Sequence, residues 1–170
     1  MTSPTATPAG APKLSAEQML TGLLELIRAS KRVEDLTPEH VGQVLGVDVQ
    51  RARDQPQRYG YGEAVNAQWY QNIDVDLQRT SGARFNFSFD PNPPGTYPPI
   101  AELCRLDYKR FTGELEAMGF KRTPYHGEHG RFVNDWFDRA GMRVAVYPEG
   151  EVSATGQSDG RACVKMVQIP

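Results

Sequence analysis

The sequence contains few of the features that identify a membrane protein or a nucleic-acid binder. The longest apolar run in the 170 residues is only a few residues long, far below the roughly 20 that a membrane span needs. Its 19 basic and 21 acidic residues nearly balance, and no block of one sign occurs, so the chain shows no nucleic-acid or anionic-lipid surface. The N-terminus also lacks the basic and apolar regions of a signal peptide. We therefore expect no membrane span and no nucleic-acid partner.

Catalytic motifs are also scarce. A Gly-x-Ser-x-Gly motif is absent, and Cys104 has no context typical of a nucleophile. The pair Gly60 and Gly62 is too short for a phosphate loop. Asp74 and Asp76 share one face of a predicted strand, and a solvated strand face explains them better than a catalytic carboxylate pair does. We predict no enzymatic activity and no cofactor.

One local cluster has the residue types of a metal site. His126, Glu128 and His129 offer two imidazoles and a carboxylate, which suit zinc. Their spacing is not the helical His-Glu-x-x-His, however, and the neighbouring glycines place them on a hairpin tip that would hold ligands poorly. The third histidine, His40, lies on a distant predicted helix. We interpret the cluster as a polar loop and predict no metal site.

Residues 1–14 have the composition of a disordered tether. The segment is rich in Pro, Thr and Ala and cannot bury an apolar face. Such stretches are typical of exported or lipid-anchored bacterial domains. We expect a periplasmic protein, either exported or held by a lipid anchor; the alternative is the frayed N-terminus of a cytoplasmic protein.

Cys104 and Cys163 are the two cysteines of the chain. We place Cys104 on a helix and Cys163 on the last strand, which allows one intramolecular disulfide. A bridge would close a loop of about 60 residues and contribute roughly 4 kcal/mol in the chain-entropy model. Two buried free thiols remain the alternative.

Apolar spacing predicts a single α+β domain over residues 15–170. Ser15 with Gln18 begins one helix and Thr37 begins a second, so an N-terminal helix pair is expected. Two similar helix–β-hairpin units, about 36–90 and 100–170, then share an antiparallel sheet. The strands are predicted near 69–77, 85–89, 120–125, 131–137, 142–147 and 162–169, with a helix over 100–118 and a polar connector over 47–63.

Several aromatic side chains are candidates for contact with a partner. Tyrosine is favoured as a binding anchor, and the predicted partner-binding residues are Tyr59, Tyr61, Tyr97, Tyr125, His126, Glu128 and His129. For Tyr97 and Tyr125, beside prolines and glycines, contact with a partner and a plain loop position are equally open. Trp69 and Trp136 occupy matching places in the two halves, and we interpret both as core residues.

The doubled helix–hairpin plan and the tether, together with residues 24–30 (LELIRAS) and 36–46 (LTPEHVGQVLG), resemble small bacterial immunity and inhibitor proteins encoded beside secreted antibacterial toxins. The resemblance implies a non-catalytic protein, often periplasmic, that binds a toxin or effector and occludes its active site. The residues suggest two plugs for such a cleft, the hairpin tip at 125–130 and the proline-rich loop at 90–99. The alternative is a structural or accessory domain of the bacterial cell envelope.

Overall fold

The computed structural model describes residues 12–78, 81–150 and 162–170, so most of the predicted tether lies outside the described residues. Within them are three α-helices and eight β-strands, which confirms an α+β fold with one antiparallel sheet. The helices are α1 (Ala16–Ala29), α2 (Pro38–Leu45) and α3 (Tyr108–Ala117). The strands are β1 (Gln50–Ala52), β2 (Gln55–Ala64), β3 (Trp69–Asp76), β4 (Arg84–Pro91), β5 (Lys121–His126), β6 (Phe132–Arg139), β7 (Met142–Glu149) and β8 (Cys163–Ile169).

The first two helices begin where the sequence predicts. The Gln18 backbone N–H donates to Ser15 Oγ at 3.1 Å, and the Ser15 N–H donates to Gln18 Oε1 at 2.9 Å, which completes a capping box. The His40 N–H donates to Thr37 Oγ1 at 3.2 Å at the start of α2. Gly46 ends α2 in a left-handed conformation with φ of 68°.

Two predicted segments are wrong. The helix expected over 100–118 is a short 3₁₀ turn at Ala101–Leu103 followed by the shorter α3, because Asp107 caps a new helix by accepting from the Arg110 N–H at 2.8 Å. The connector expected over 47–63 contains β1 and most of β2. Tyr59 and Tyr61 alternate inward along β2, and the intervening positions carry glycine, which hid the alternation of the strand.

The strands follow the order β1-β2-β3-β4-β8-β7-β6-β5, and every neighbouring pair is antiparallel. Strands β1–β4 form one set of consecutive neighbours and β5–β8 form another. The last strands of the two sets, β4 and β8, pair in the middle of the sheet, with Phe87 opposite Val167. The edges of the sheet are therefore β1 and β5.

One face of the sheet carries the core. Alternate residues of the central strands point to it, among them Ile73, Phe87, Val144 and Val167, all at most 1% exposed. The prediction that Phe85, Phe87 and Phe89 line the core is confirmed. We call this the covered face.

Side-chain hydrogen bonds attach all three helices to the covered face. Tyr59 Oη donates to the Leu36 carbonyl just before α2 at 2.6 Å. Arg139 Nη2 donates to the Ile27 and Ser30 carbonyls at 3.2 and 2.8 Å, at the C-terminal end of α1. Tyr108 of α3 bonds to the sheet as described below. Since the three helices occupy this side, none of the described helices is left for the other face.

Cys104 and Cys163 form a disulfide, with Cα atoms 4.9 Å apart and 59 residues apart in sequence. Cys163 begins β8 as predicted, whereas Cys104 follows the 3₁₀ turn and is not on a helix. The Tyr108 N–H also donates to the Ala162 carbonyl at 2.8 Å. The bridge therefore fixes the chain before α3 to the middle of the sheet.

Among the described residues, no helix has the length and apolar content required to cross a membrane.

Candidate binding surface on the open sheet face

The sheet face that points away from the helices is the candidate binding surface, which we call the open face. Its side chains come from the strand positions between the core residues. Cross-strand pairing aligns one row across seven strands: Gly60, Asp74, Asn86, Gln168, Ala145, Trp136 and Thr123. The next row includes Gly62, Asn72, Ser88, Met166 and Tyr147. The face is thus mostly polar, with aromatic groups at both sides.

An aromatic cluster lies on the open face of the second strand set. It consists of Trp136, Tyr147, Tyr125 and the guanidinium of Arg143, whose Cζ lies 4.0 Å from the centroid of the Trp136 ring. Arg143 Nε lies 3.2 Å from Asp138 Oδ1, which holds the guanidinium in place. Burial raises the pKa of Tyr147, and the nearby Tyr125 adds to the shift.

Trp136 is half-buried, so the expectation that it belongs to the core is wrong, while Trp69, at 2% exposure, does belong to it.

A groove crosses the open face of the first strand set, between β1, β2 and β3. Its volume is about 380 Å³. Gly60 and Gly62 form its floor, Tyr70 and Arg58 are among its lining residues, and polar side chains of β1 and β3 complete the lining. Asp74 lies 3.9 Å from Arg58 Nε and 3.8 Å from Arg84 Nη2, so two guanidinium groups lie beside its carboxylate.

A buried polar network lies on the covered face. Asp135 is fully buried, and its Oδ2 accepts from Tyr108 Oη at 2.7 Å and from Arg122 Nη2 at 2.6 Å. Tyr108 Oη also lies 3.0 Å from the Val146 carbonyl. Burial, and then the Asp135 carboxylate, raise the pKa of Tyr108, and the same carboxylate raises the pKa of Arg122. This arrangement joins α3 to β5, β6 and β7, and we assign it a structural role.

The predicted partner-binding residues fall into two groups. Tyr59 and Tyr61 are buried on the covered face, at 2% and 9% exposure, with Tyr61 Oη donating to Glu63 Oε2 at 2.7 Å. Burial raises the pKa of both tyrosines. Their burial makes them unsuitable as contact residues, although their residue type suggested that role.

The other predicted residues are exposed and lie at one end of the sheet. Tyr97, at 98% exposure, lies on the loop that follows β4, and Trp69 Nε1 holds this loop by donating to the Pro99 carbonyl at 2.8 Å. Tyr125, at 50% exposure, and His126 are the last residues of β5, and Glu128 and His129 lie in the β5–β6 turn. Antiparallel order places both segments at the same end, about 14 to 19 Å apart, since three to four strand spacings separate them.

The predicted partner-binding set did not include Tyr70, Trp136 or Tyr147, which lie on the open face. The signal for Tyr70 was present, because the alternation from Trp69 to Asp76 places it on the solvated side. The outward positions of Trp136 and Tyr147 follow from the alternation along their strands, because the adjacent Phe137 and Val146 are apolar and point to the core.

Within the described part of the chain, no group of three or more His, Cys, Asp and Glu side chains is arranged to hold a metal ion. The two imidazoles of the β5–β6 turn therefore have no third ligand among these residues. No protein-family model, curated protein or solved structure matches the chain.

Proposed function

We propose that this chain is a non-catalytic binding protein that neutralises a bacterial toxin or effector by occluding its active site. The observation that supports it best is the open face: an eight-stranded sheet with helices on one side and exposed aromatic and polar side chains on the other. Tryptophan, tyrosine and arginine are the residue types enriched among interface anchors. Trp136, Tyr125 and Arg143 supply all three within one cluster.

The open face has the size of a protein interface. Eight strands about 4.8 Å apart span about 34 Å, and strands of eight residues are about 27 Å long, which gives on the order of 900 Å². A standard interface buries about 800 Å² on each partner. A partner of ordinary size can therefore cover most of this face in a single contact.

The exposed end of the sheet extends this contact surface. Tyr97 projects from a loop that Trp69 holds in place, so the loop loses little conformational freedom on binding. In our proposal this loop and the turn with His126, Glu128 and His129 reach into the cleft of the toxin while the open face covers its rim. The mechanism requires only occlusion, with no chemistry by this chain.

The sheet edges argue against one form of the alternative, a structural or accessory envelope domain that assembles edge to edge. The edge strand β5 carries Lys121, Arg122 and Pro124, and charged residues and proline oppose pairing with another strand. At the other edge, β1 has only three residues. Neither edge presents the long flat strand that such an assembly needs.

We further propose a periplasmic location and two similar halves. The Cys104–Cys163 disulfide suits an oxidising compartment. The halves, about 36–90 and 100–170, each contain a helix followed by four strands, and their last strands pair with each other.

Affinity capture from the native host tests the proposal. The tagged wild type is expected to retain one stoichiometric partner that is toxic when produced alone and harmless when produced with this chain. The variant Arg143→Glu should lose both capture and protection, because the reversed charge sits beside Trp136 on the open face. Arg110→Glu, an equal charge change on the exposed surface of α3, is the matched control and should retain both.

The capture experiment also has outcomes that overturn the proposal. Recovery of only the chain itself or of envelope components would support the structural alternative. Equal protection by the two charge variants would remove the open face from the interface.

A further inference from the structure

We propose that the groove between β1, β2 and β3 binds an uncharged, hydroxyl-rich sugar ring. The argument for sugar binding uses other residues than the proposed function does, since the groove lies in the first strand set and the aromatic cluster in the second, although both lie on the open face. The volume of about 380 Å³ is near the lower end of the roughly 300–1,000 Å³ typical of small-molecule sites. A ligand of one or two rings fits this size.

Two glycines create the groove. A Cβ atom at Gly62 would lie 2.6 Å from the hydroxyl oxygen and 2.8 Å from Cε1 of Tyr70, and a Cβ at Gly60 would lie 2.8 Å from the Ile73 carbonyl oxygen. Any larger residue at Gly62 would therefore displace the tyrosine. Glycine inside a strand often marks a place where another group approaches the backbone closely, and here one such group is an aromatic ring.

Tyr70 supplies an apolar surface for the ligand. Its ring rests against Gly62 at one side of the groove and remains 38% exposed. The carbon-bound hydrogens of a sugar ring form an apolar face that can stack on such an aromatic surface, which removes apolar area from water.

The remaining lining supplies free hydrogen-bonding groups. Within the described residues, the Gln50 and Asn72 amides make no side-chain hydrogen bond, although both line the groove. Asp74 and Arg58 are 3.9 Å apart, beyond hydrogen-bond distance. Amides donate and accept, the carboxylate accepts and the guanidinium donates, so together they match hydroxyl groups, which do both.

Charge and shape disfavour other ligand classes. An anionic ligand would approach the Asp74 carboxylate, whose charge is matched by Arg58 within the lining and by Arg84 beside it. A purely apolar ligand would desolvate these same groups without replacing their hydrogen bonds. A neutral ring with one apolar face and a hydroxyl rim satisfies the whole lining.

Titration of the ¹⁵N-labelled full chain tests the proposal by amide chemical shifts. The probes are glucose, N-acetylglucosamine and their β-1,4-linked oligomers, with inorganic phosphate as the anionic probe. At least one sugar is expected to shift the amides of Gly60, Gly62 and Asn72, with a Kd on the order of 1 mM or tighter for a shallow site. Phosphate should leave these amides unchanged.

Substitutions then locate the site. Tyr70→Ala should weaken sugar binding about tenfold or more, the loss of roughly 1.4 kcal/mol. Asn72→Ala should weaken it less. Tyr125→Ala removes a comparably exposed tyrosine of the same face and should leave the sugar affinity unchanged. The amide spectrum outside the groove shows whether each variant keeps its fold.

Three results of the titrations would overturn the inference, and one result of the capture experiment would do the same. The titration results are the absence of groove shifts with every sugar at about 20 times the expected Kd, sugar shifts that survive Tyr70→Ala, and phosphate binding that displaces the sugar. If the captured protein partner alone protects these amides, the groove belongs to the protein interface and the sugar proposal is wrong. The titration results do not depend on whether the chain neutralises a toxin.

Discussion

Alternate residues of strand β4 lie on the two faces of the sheet and allow the faces to be compared. Phe85, Phe87 and Phe89 are at most 1% exposed, whereas the intervening Asn86 and Ser88 lie on the open face and are only half-buried. The spacing of two residues therefore assigns stability and recognition to alternate positions of a single strand. A change of one residue in register would exchange the two faces, so the phenylalanines also fix which side chains the open face presents.

The two faces also hold charge differently. On the covered face, Arg122 and the fully buried Asp135 are in direct contact at 2.6 Å. On the open face, Asp74 lies 3.8 to 3.9 Å from two arginines and is 41% exposed. Buried charges must be paired to be tolerated, whereas loosely spaced exposed charges stay available to a ligand. We therefore expect substitutions to lower stability on the covered face and to lower affinity on the open face.

The largest expected loss of stability comes from Phe87→Ala. Phe87 is fully buried at the junction of the two strand sets, opposite Val167. Its truncation should lower the free energy of unfolding by about 3–5 kcal/mol. Asn72→Ala, on the open face and without a side-chain hydrogen bond among the described residues, should change it by about 0.5 kcal/mol or less. Urea unfolding measures both, and similar losses for the two variants would contradict the division between faces.

Loss of the disulfide should have the next largest effect. Cys104 and Cys163 close a loop with a sequence separation of 59, and removing the bridge should cost about 2–4 kcal/mol. Thermal unfolding with and without reductant measures the effect. The double variant Cys104→Ala/Cys163→Ala should show a lowered Tm that reductant no longer changes. An unchanged Tm for the reduced wild type would show that the bridge contributes little.

Tyr108→Phe should have an intermediate effect. The substitution keeps the ring but removes the hydroxyl bonded to Asp135 and Val146, which should cost about 1–2 kcal/mol.

The same residue contributes a pH dependence. The pKa of Tyr108 is raised above its ordinary value of 10.0 in the folded chain. In the unfolded chain the Tyr108 hydroxyl loses its proton near pH 10, whereas in the folded chain it keeps the proton at that pH. Tyr108 therefore contributes its full stabilisation below pH 10, and this stabilisation is lost as the pH rises above 10. Unfolding curves at about pH 9 and 11 should show a smaller decline for Tyr108→Phe than for the wild type. Equal declines would mean that Tyr108 titrates normally.

Local signals were sufficient for much of the fold. The Ser15–Gln18 box, the Thr37 cap and the alternation along β3 and β4 each depend on neighbours within a few residues, and the structure has all of them. The break before α3 was also local, but it depended on reading Asp107 as a helix cap within an otherwise helical apolar pattern.

Two features of the fold could not be predicted from local sequence signals. Strand β2 has glycine at Gly60 and Gly62, where a half-buried strand normally shows polar side chains, so Tyr59 and Tyr61 were interpreted as surface aromatics. The pairing of β4 with β8 joins residues about 80 positions apart, as with Phe87 and Val167, and alternation alone does not specify such partners. The groove depends on the two glycines of β2, and the continuous open face depends on the β4–β8 pairing.

The two tryptophans give the sharpest comparison of the faces, because the same substitution is expected to cost much stability on one face and little on the other. Trp69→Ala, on the covered face at 2% exposure, should lower the free energy of unfolding by about 3–5 kcal/mol. Trp136→Ala, half-buried on the open face beside Arg143, should lower it by about 1 kcal/mol or less. Because central interface tryptophans contribute about 2 kcal/mol or more, Trp136→Ala should weaken capture of the partner about 30-fold. A Trp136→Ala protein that unfolds like Trp69→Ala, or that binds its partner like the wild type, would show that the open face does not carry recognition.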